Sequence, residues 1–239
     1  MANRSQQSIS VFFPCYNDSK SIPNLVEKSF RILPQLTKYY EVIVIDDGST
    51  DNSGEVLERL KKRYKNLKAI YHSKNLGYGG ALISGFKTAN YELIFYTDGD
   101  GQYDVSELPI LVSLMSPDVS FINGIKMVRH DPNYRIVIGN FYSFLARWLF
   151  WLPIHDVDCD FRLMRKKLVD KLDLKSQGGS ICIELVKKAQ RHGGKFREVS
   201  IHHQAREFGS SQFFVPKHLF RTFWELGSFW FTLMVLHKN

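Results

Sequence analysis

Apolar residues enter this chain in short runs, each broken off by turn formers. Residues 8–13 read S-I-S-V-F-F and stop at Pro14. Residues 41–45 read E-V-I-V-I and stop at two aspartates, and residues 93–96 read L-I-F-Y and stop at Thr97-Asp98-Gly99-Asp100. Runs of this length with few polar positions fit strands covered on both faces. Between the first two, residues 22–39 carry helical spacing interrupted by Pro34, which predicts a stop or kink near Leu33. After the second, Asn52 with Glu55 three residues on predicts a capped helix. Residues 68–71 form a third strand, and the glycine-rich stretch 72–85 leads into another helix. This alternation predicts an α/β domain, a mostly parallel central sheet with helices on both faces. Right-handed crossovers then bring residues 14–18, 46–51 and 98–102 to one rim of the sheet, where such folds bind ligands.

The second half is patterned differently. Residues 119–123 read as a strand followed by Gly124-Ile125-Lys126, residues 180–191 as a helix, and 195–201 as a strand followed by a polar loop at His202 and His203. Residues 140–152 place Phe141, Phe144, Leu145, Trp148 and Leu152 at helical spacing. A core helix and a helix lying in a membrane interface both fit that aromatic content. Residues 213–236 set Lys217, His218 and Arg221 among Phe220, Phe223, Trp224, Phe229, Trp230 and Phe231. The spacing predicts an amphipathic C-terminal helix at a membrane surface, packing against the domain or a partner chain being the other reading, and divides the chain into a domain over 1–212 and an appendage over 213–239. No apolar run approaches the roughly 20 residues that span a bilayer, so no crossing is expected.

Composition narrows the partners. The 239 residues are 44% hydrophobic and 23% charged, ordinary values for a globular protein, so disorder is not the default expectation. The formal charge of +8 suits an anionic partner: a nucleotide, a phosphorylated lipid or an acidic membrane. Nucleic acid fits poorly, because the strand ends are acidic and repel phosphates. Cys15, Cys159 and Cys182 are odd in number and widely spaced, and no secretory leader opens the chain, so a reducing cytoplasm is the expected setting.

The candidate chemistry sits at D-G-D-G-Q, residues 98–102. Asp98 and Asp100 repel each other unless a cation lies between them. Mg²⁺ or Mn²⁺ suits such a site, since Mg²⁺ takes one or two carboxylates and completes its shell with water and substrate phosphates. Gln102 offers an amide oxygen as a further metal ligand, and Gly99 lets a phosphate-bearing ligand approach the backbone. A calcium loop over 47–58 fails, because Asn52 stands where glycine is needed.

P-C-Y-N-D at 14–18, I-D-D-G-S-T-D at 45–51, N-L-G-Y-G-G-A at 75–81 and D-G-D-G-Q at 98–102 together resemble the ordered motifs of family 2 glycosyltransferases. The nearest branch is similar to dolichyl-phosphate mannose synthase and bacterial polyprenyl-phosphate glycosyltransferases. The resemblance covers about residues 8–212 and implies a GT-A nucleotide-sugar-binding fold. It further implies inverting transfer of a hexose from a UDP or GDP sugar to a polyprenyl phosphate, by an enzyme peripheral to the cytoplasmic membrane face. Pro14, Tyr16, Asp18, Ile45 and Asp47 match nucleotide contacts; Asp98, Asp100 and Gln102 match the metal and diphosphate site; Gly99 touches the nucleotide through its backbone. Lys126 stands at a basic position near the diphosphate, a solvated lysine being the other reading. Asp156 and Arg162 match a short segment beside sugar and acceptor, with Asp160 where a small residue is usual. R-E-F-G-S-S-Q at 206–212 resembles the loop that folds over the diphosphate, with Arg206 on phosphate oxygens and Gln212 where lysine is frequent. Two rivals stay open: transfer to a saccharide or protein hydroxyl with Asp156 or Asp160 as base, and a catalytically silent membrane-associated binding subunit of the same fold.

Overall fold

The computed structural model describes residues 7–127, 133–208 and 224–232. The first half alternates strand and helix: β1 (Ile9–Cys15), α1 (Ile22–Leu36), β2 (Tyr40–Asp46), α2 (Ser53–Arg63), β3 (Leu67–Tyr71), α3 (Tyr78–Thr88) and β4 (Leu93–Thr97). Then come α4 (Leu108–Leu114), β5 (Phe121–Lys126), α5 (Asn133–Phe150), β6 (Phe161–Arg165), α6 (Lys166–Val169), α7 (Ile181–Arg191) and β7 (Phe196–Ile201).

All seven strands form one sheet in the order β3-β2-β1-β4-β6-β5-β7. β1 to β4 pair in parallel, β5 pairs with β7 in parallel, and β6 runs antiparallel to both β4 and β5. The alternation of side chains across the pleat divides each central strand between two cores. Val11, Phe13, Val42 and Val44 pack with α1, α2 and α4 on one face, while Phe12, Ile43 and Ile45 pack with α3, α5 and α7 on the other. Double coverage is why these strands read as unbroken apolar runs. The strand order reverses between β1 and β4, so the crevice beyond their carboxyl ends is the switch point where such sheets bind ligands.

Several expectations shift in detail. The first helix passes Leu33 and ends at Leu36 with Pro34 inside its last turn. Asn52 makes no side-chain cap; the carboxylate of Asp51 accepts from the backbone N–H of Ser53 instead, at 2.9 Å. The strand expected over 119–123 lies at Phe121–Lys126 and includes the Gly124-Ile125-Lys126 segment. Arg162 belongs to β6, a strand to which the sequence pattern assigns no element. The long helix begins at Asn133 instead of 140. No described helix is long and apolar enough to cross a membrane. Of the expected C-terminal helix, residues 224–232 are described and helical; most of the segment, like Gln212, lies outside the described residues.

Candidate functional site

The loops after β1 and β2 are stitched together by local polar bonds. Asn17 adopts φ 58°, a conformation its short side chain tolerates, and its Oδ1 accepts from the backbone N–H groups of Thr50 (2.8 Å) and Asp51 (3.2 Å). Ser19 donates its backbone N–H to Asp51 at 3.2 Å, and Asp46 braces its own turn by accepting from Ser49 at 2.9 Å. Pro14 and Ile45 are buried, so neither presents a side chain at the rim. Asp47 is also turned inward. Its carboxylate accepts from the N–H groups of Leu76 and Gly77, both at 2.9 Å, and lies 2.6 Å from His72 Nδ1. As built, Asp47 holds the glycine-rich loop instead of reaching outward. Tyr16 and Asp18 are part-buried at the rim.

β4 delivers the acidic pair beside them. Gly99 passes so close to β1 that a Cβ there would stand 2.2 Å from the Pro14 carbonyl oxygen, and its own carbonyl accepts from Ser21 Oγ at 2.6 Å. The carboxyl of Asp98 accepts from the Tyr78 hydroxyl at 2.7 Å. Burial, then the carboxylates of Asp160 and Asp100, push the Asp98 carboxyl well above the usual range, against the Tyr78 bond and the charge of Lys126. Asp100 accepts from the Gln102 backbone at 3.0 Å.

The loop after β7 closes over this pair. Tyr103 and His203 form an antiparallel bridge with their rings edge-to-face at 5.1 Å, and Gln204 donates to the Gln102 carbonyl at 2.8 Å. Gln102 returns a bond from its amide nitrogen to the Gln204 carbonyl at 3.1 Å, so its side chain tethers this loop. His203 is buried, correcting the polar-loop reading, whereas His202 is exposed and rests on Glu107. Arg206 then reaches Asp18 at 3.3 Å and Asp100 at 3.8 Å. Burial lifts the Asp18 carboxyl to about 6 although Arg206 pulls it the other way. The backbone turns back as Arg206 Nε donates to the Phe208 carbonyl, and Lys20 lies 5.5 Å from the Phe208 ring centre.

β5 and β6 supply the far wall. Lys126 donates its backbone N–H to Asp156 at 3.2 Å, and its ammonium lies 3.8 Å from the same carboxylate while donating to the Asp158 carbonyl at 2.8 Å. Arg162 is completely buried. It donates to Asn123, to the Tyr96 hydroxyl and to the carbonyls of Cys159 and Val157, so it holds the wall together from within and touches no ligand space. Asp160 accepts from Tyr96 at 3.0 Å and from the Cys182 thiol at 3.3 Å, and stands 3.6 Å from Arg162. All three cysteines are free and buried.

The structure thus brings Tyr16, Asp18, Asp98, Asp100, Arg206 and, across the crevice, Lys126 and Asp156 to one end of the sheet. A divalent cation fits the donor chemistry. Asp98 is buried and has the carboxylates of Asp160 and Asp100 acting on it, so a cation beside it would offset the like charges gathered there. Among the described residues no three His, Cys, Asp or Glu side chains form a ready cage. Asp98 and Asp100 would therefore hold a cation as a pair, leaving its other positions to water and phosphate oxygens.

A family model described as Glycosyl transferase family 2 matches residues 10–173. The undecaprenyl-phosphate 4-deoxy-4-formamido-L-arabinose transferase of Yersinia enterocolitica is 28% identical over 212 residues, 88% of this chain and 64% of that protein. Its namesake in Photorhabdus laumondii is 29% identical over 87% of this chain and 63% of its own. The chain thus spans just under two thirds of the length of these relatives. Among solved structures, glucosyl-3-phosphoglycerate synthase of Mycobacterium tuberculosis, in complex with Mn²⁺, UDP and glucosyl-3-phosphoglycerate, superposes with a TM-score of 0.65. The sequences are 17% identical, with 95% of this chain and 77% of that one covered. A mannosyltransferase from Pyrobaculum calidifontis, in complex with GDP-mannose and Mn²⁺, gives 0.65 at 17% identity, covering 94% and 65%. At these identities the likeness is one of fold.

Proposed function

The chain belongs to glycosyl transferase family 2, and from that premise we propose that it moves a hexose from a nucleoside diphosphate sugar to a polyprenyl phosphate, with inversion and with a divalent metal. The observation that carries this reading is the meeting of Arg206 with Asp18 and Asp100 above the ends of β1 and β4. A guanidinium and an acidic pair sharing one rim suit a diphosphate, which needs fixed N–H donors on one side and a cation on the other. Mg²⁺ or Mn²⁺ on Asp98 and Asp100 would offset charge developing on the leaving diphosphate. The donor phosphates would compete with Asp18 for the Arg206 N–H groups, while the tether between Gln102 and Gln204 keeps the loop over the crevice and limits water. Ligands in the solved complexes of similar fold, UDP or GDP-mannose with Mn²⁺, support a nucleotide donor.

The acceptor side favours an anion. A cleft of about 290 Å³ opens beside Lys126, Arg147, His155 and Asp156. Arg147 Nε is buried there with no hydrogen-bond partner among the described residues. A second groove of about 500 Å³ continues from Arg147 along Trp148, Trp151 and Trp230, apolar enough for a prenyl chain. Phe144 and Trp148 on α5, Trp151 in the turn just after it, and Trp224 and Phe231 on the 224–232 helix stand exposed, in keeping with peripheral contact at the cytoplasmic membrane face. A lipid phosphate is already anionic near pH 7 and needs no base. Asp156, already engaged by Lys126, is poorly placed to take a proton from a hydroxyl acceptor. The names of the relatives, undecaprenyl-phosphate transferases, point the same way. Incubating the protein with radiolabelled UDP and GDP hexoses, Mn²⁺ and undecaprenyl phosphate tests the reading. Label in the organic phase is expected; label only in an aqueous polymer contradicts the lipid acceptor.

A further inference from the structure

We infer that Tyr78 is a positioning residue that fixes the carboxylate of Asp98 for cation binding. This deepens the metal-dependent reading above and rests on it. The Tyr78 hydroxyl donates to Asp98 Oδ1 at 2.7 Å, within the range of a bond to a carboxylate. Asp98 needs such a partner. Asp160 and Asp100 act on it as like charges, which favours any rotamer that swings its carboxylate away from them. One bond to Oδ1 holds the group in place and leaves acceptor capacity for a cation.

The phenol is itself held from both sides. Tyr78 is the first residue of α3. The residue before it, Gly77, has φ 88°, accessible at little strain only to glycine, and donates its N–H to Asp47 at 2.9 Å. The residue after it, Gly79, donates to the Gln177 carbonyl at 2.9 Å and packs so tightly that a Cβ would fall 2.1 Å from the Ser176 carbonyl oxygen. That second support is fixed in turn, because Glu184 accepts the backbone N–H groups of Lys175 and Ser176 from the buried face of α7. Glycines therefore seat the backbone on either side of the aromatic residue whose hydroxyl meets Asp98. Partners that orient a metal ligand contribute roughly 10- to 100-fold to affinity or activity when removed.

The test uses the full chain and the Tyr78→Phe variant, which keeps the ring. Electron paramagnetic resonance of free Mn²⁺, titrated in the presence of GDP or UDP, reads metal affinity directly. Tyr78→Phe is expected to weaken Mn²⁺ binding about tenfold. It should raise the Mn²⁺ concentration for half-maximal transfer by a similar factor, with kcat at saturating Mn²⁺ little changed. In an Asp98→Asn background the same substitution should have no further effect on Mn²⁺. Unchanged Mn²⁺ affinity in Tyr78→Phe, with wild type binding normally, overturns the inference and leaves the transferase reading standing. Wild type that binds no Mn²⁺ with either nucleotide removes both. A Tyr78→Phe protein that fails to fold also overturns it, since the residue would then be structural.

Discussion

Arg206 meets Asp18 at 3.3 Å across 188 residues of chain. The contact closes a ring of three segments: the end of β1 carries Asp18, the end of β4 carries Asp100, and the loop after β7 brings the guanidinium to both. No local propensity explains it; the order of strands in the sheet does. Lysine in place of arginine keeps the charge but loses the planar fork. Arg206→Lys is expected to lower kcat/KM for the nucleotide sugar by about 10- to 100-fold, and Arg206→Ala by more, with little change in melting temperature.

Burial, acting against that contact, makes Asp18 a reporter of pH. Its carboxyl is lifted from 3.8 to about 6, chiefly by burial. Between those values the folded protein binds more protons than the unfolded chain, so this group lowers stability as pH rises from about 4 to about 6. A shift of this size corresponds to roughly 2–3 kcal/mol. Denaturant melts of the metal-free protein should therefore show Asp18→Asn gaining stability over wild type at pH 7.5 and not at pH 3.5. An equal difference at both pH values would show that the carboxyl is not shifted.

Asp100 carries the opposite expectation for activity and stability. It accepts from the Gln102 backbone and lies towards Arg206, both at the rim of the sheet. Asp100→Ala should abolish sugar transfer while far-ultraviolet circular dichroism and thermal melting stay near wild type. Chelation by EDTA should suppress the wild type in the same way, with activity returning on addition of Mn²⁺.

Helix 224–232 is tied to the domain through Glu225, which accepts from the Ser180 hydroxyl and from the Gly178 backbone at 3.3 Å. Phe229 stacks on Phe150 at 5.5 Å, and Trp230 donates its indole N–H to the Leu149 carbonyl at 3.2 Å. Glu225→Ala leaves two donors near the start of α7 without this acceptor and should loosen the helix by about 1–2 kcal/mol. Hydrogen exchange should quicken in residues 224–232 and at 178–181 while β1 and β4 stay protected.

The β-strand ends were legible in the sequence because doubly covered strands must be apolar throughout, so where the run stops the chain meets solvent. Asp98, Asp100 and Asp18 follow from that logic together with the resemblance. β6 was hidden because its sequence, F-R-L-M-R, shows two arginines where a central strand normally shows none. Arg162 is tolerated there because Asn123, Tyr96 and two carbonyls take its N–H groups, and no sequence pattern announces those partners. Asp47 and Gln102 sit at the rim as expected, yet their side chains serve neighbouring loops, a choice made by tertiary contacts alone. Tyr78 was visible only as a tyrosine inside N-L-G-Y-G-G-A; its meaning appears when α3 starts beside the end of β4.

The central claim is that a cation on the β4 carboxylates and the guanidinium of Arg206 share one diphosphate. Calorimetric titration of GDP and UDP into wild type, Asp100→Ala, Arg206→Ala and the double variant, each with and without Mn²⁺, tests it most directly. The account predicts that tight nucleotide binding requires Mn²⁺, and that the two substitutions are coupled, the pair losing less than the sum of the single losses. Nucleotide binding indifferent to Mn²⁺, or single losses that simply add, would contradict it.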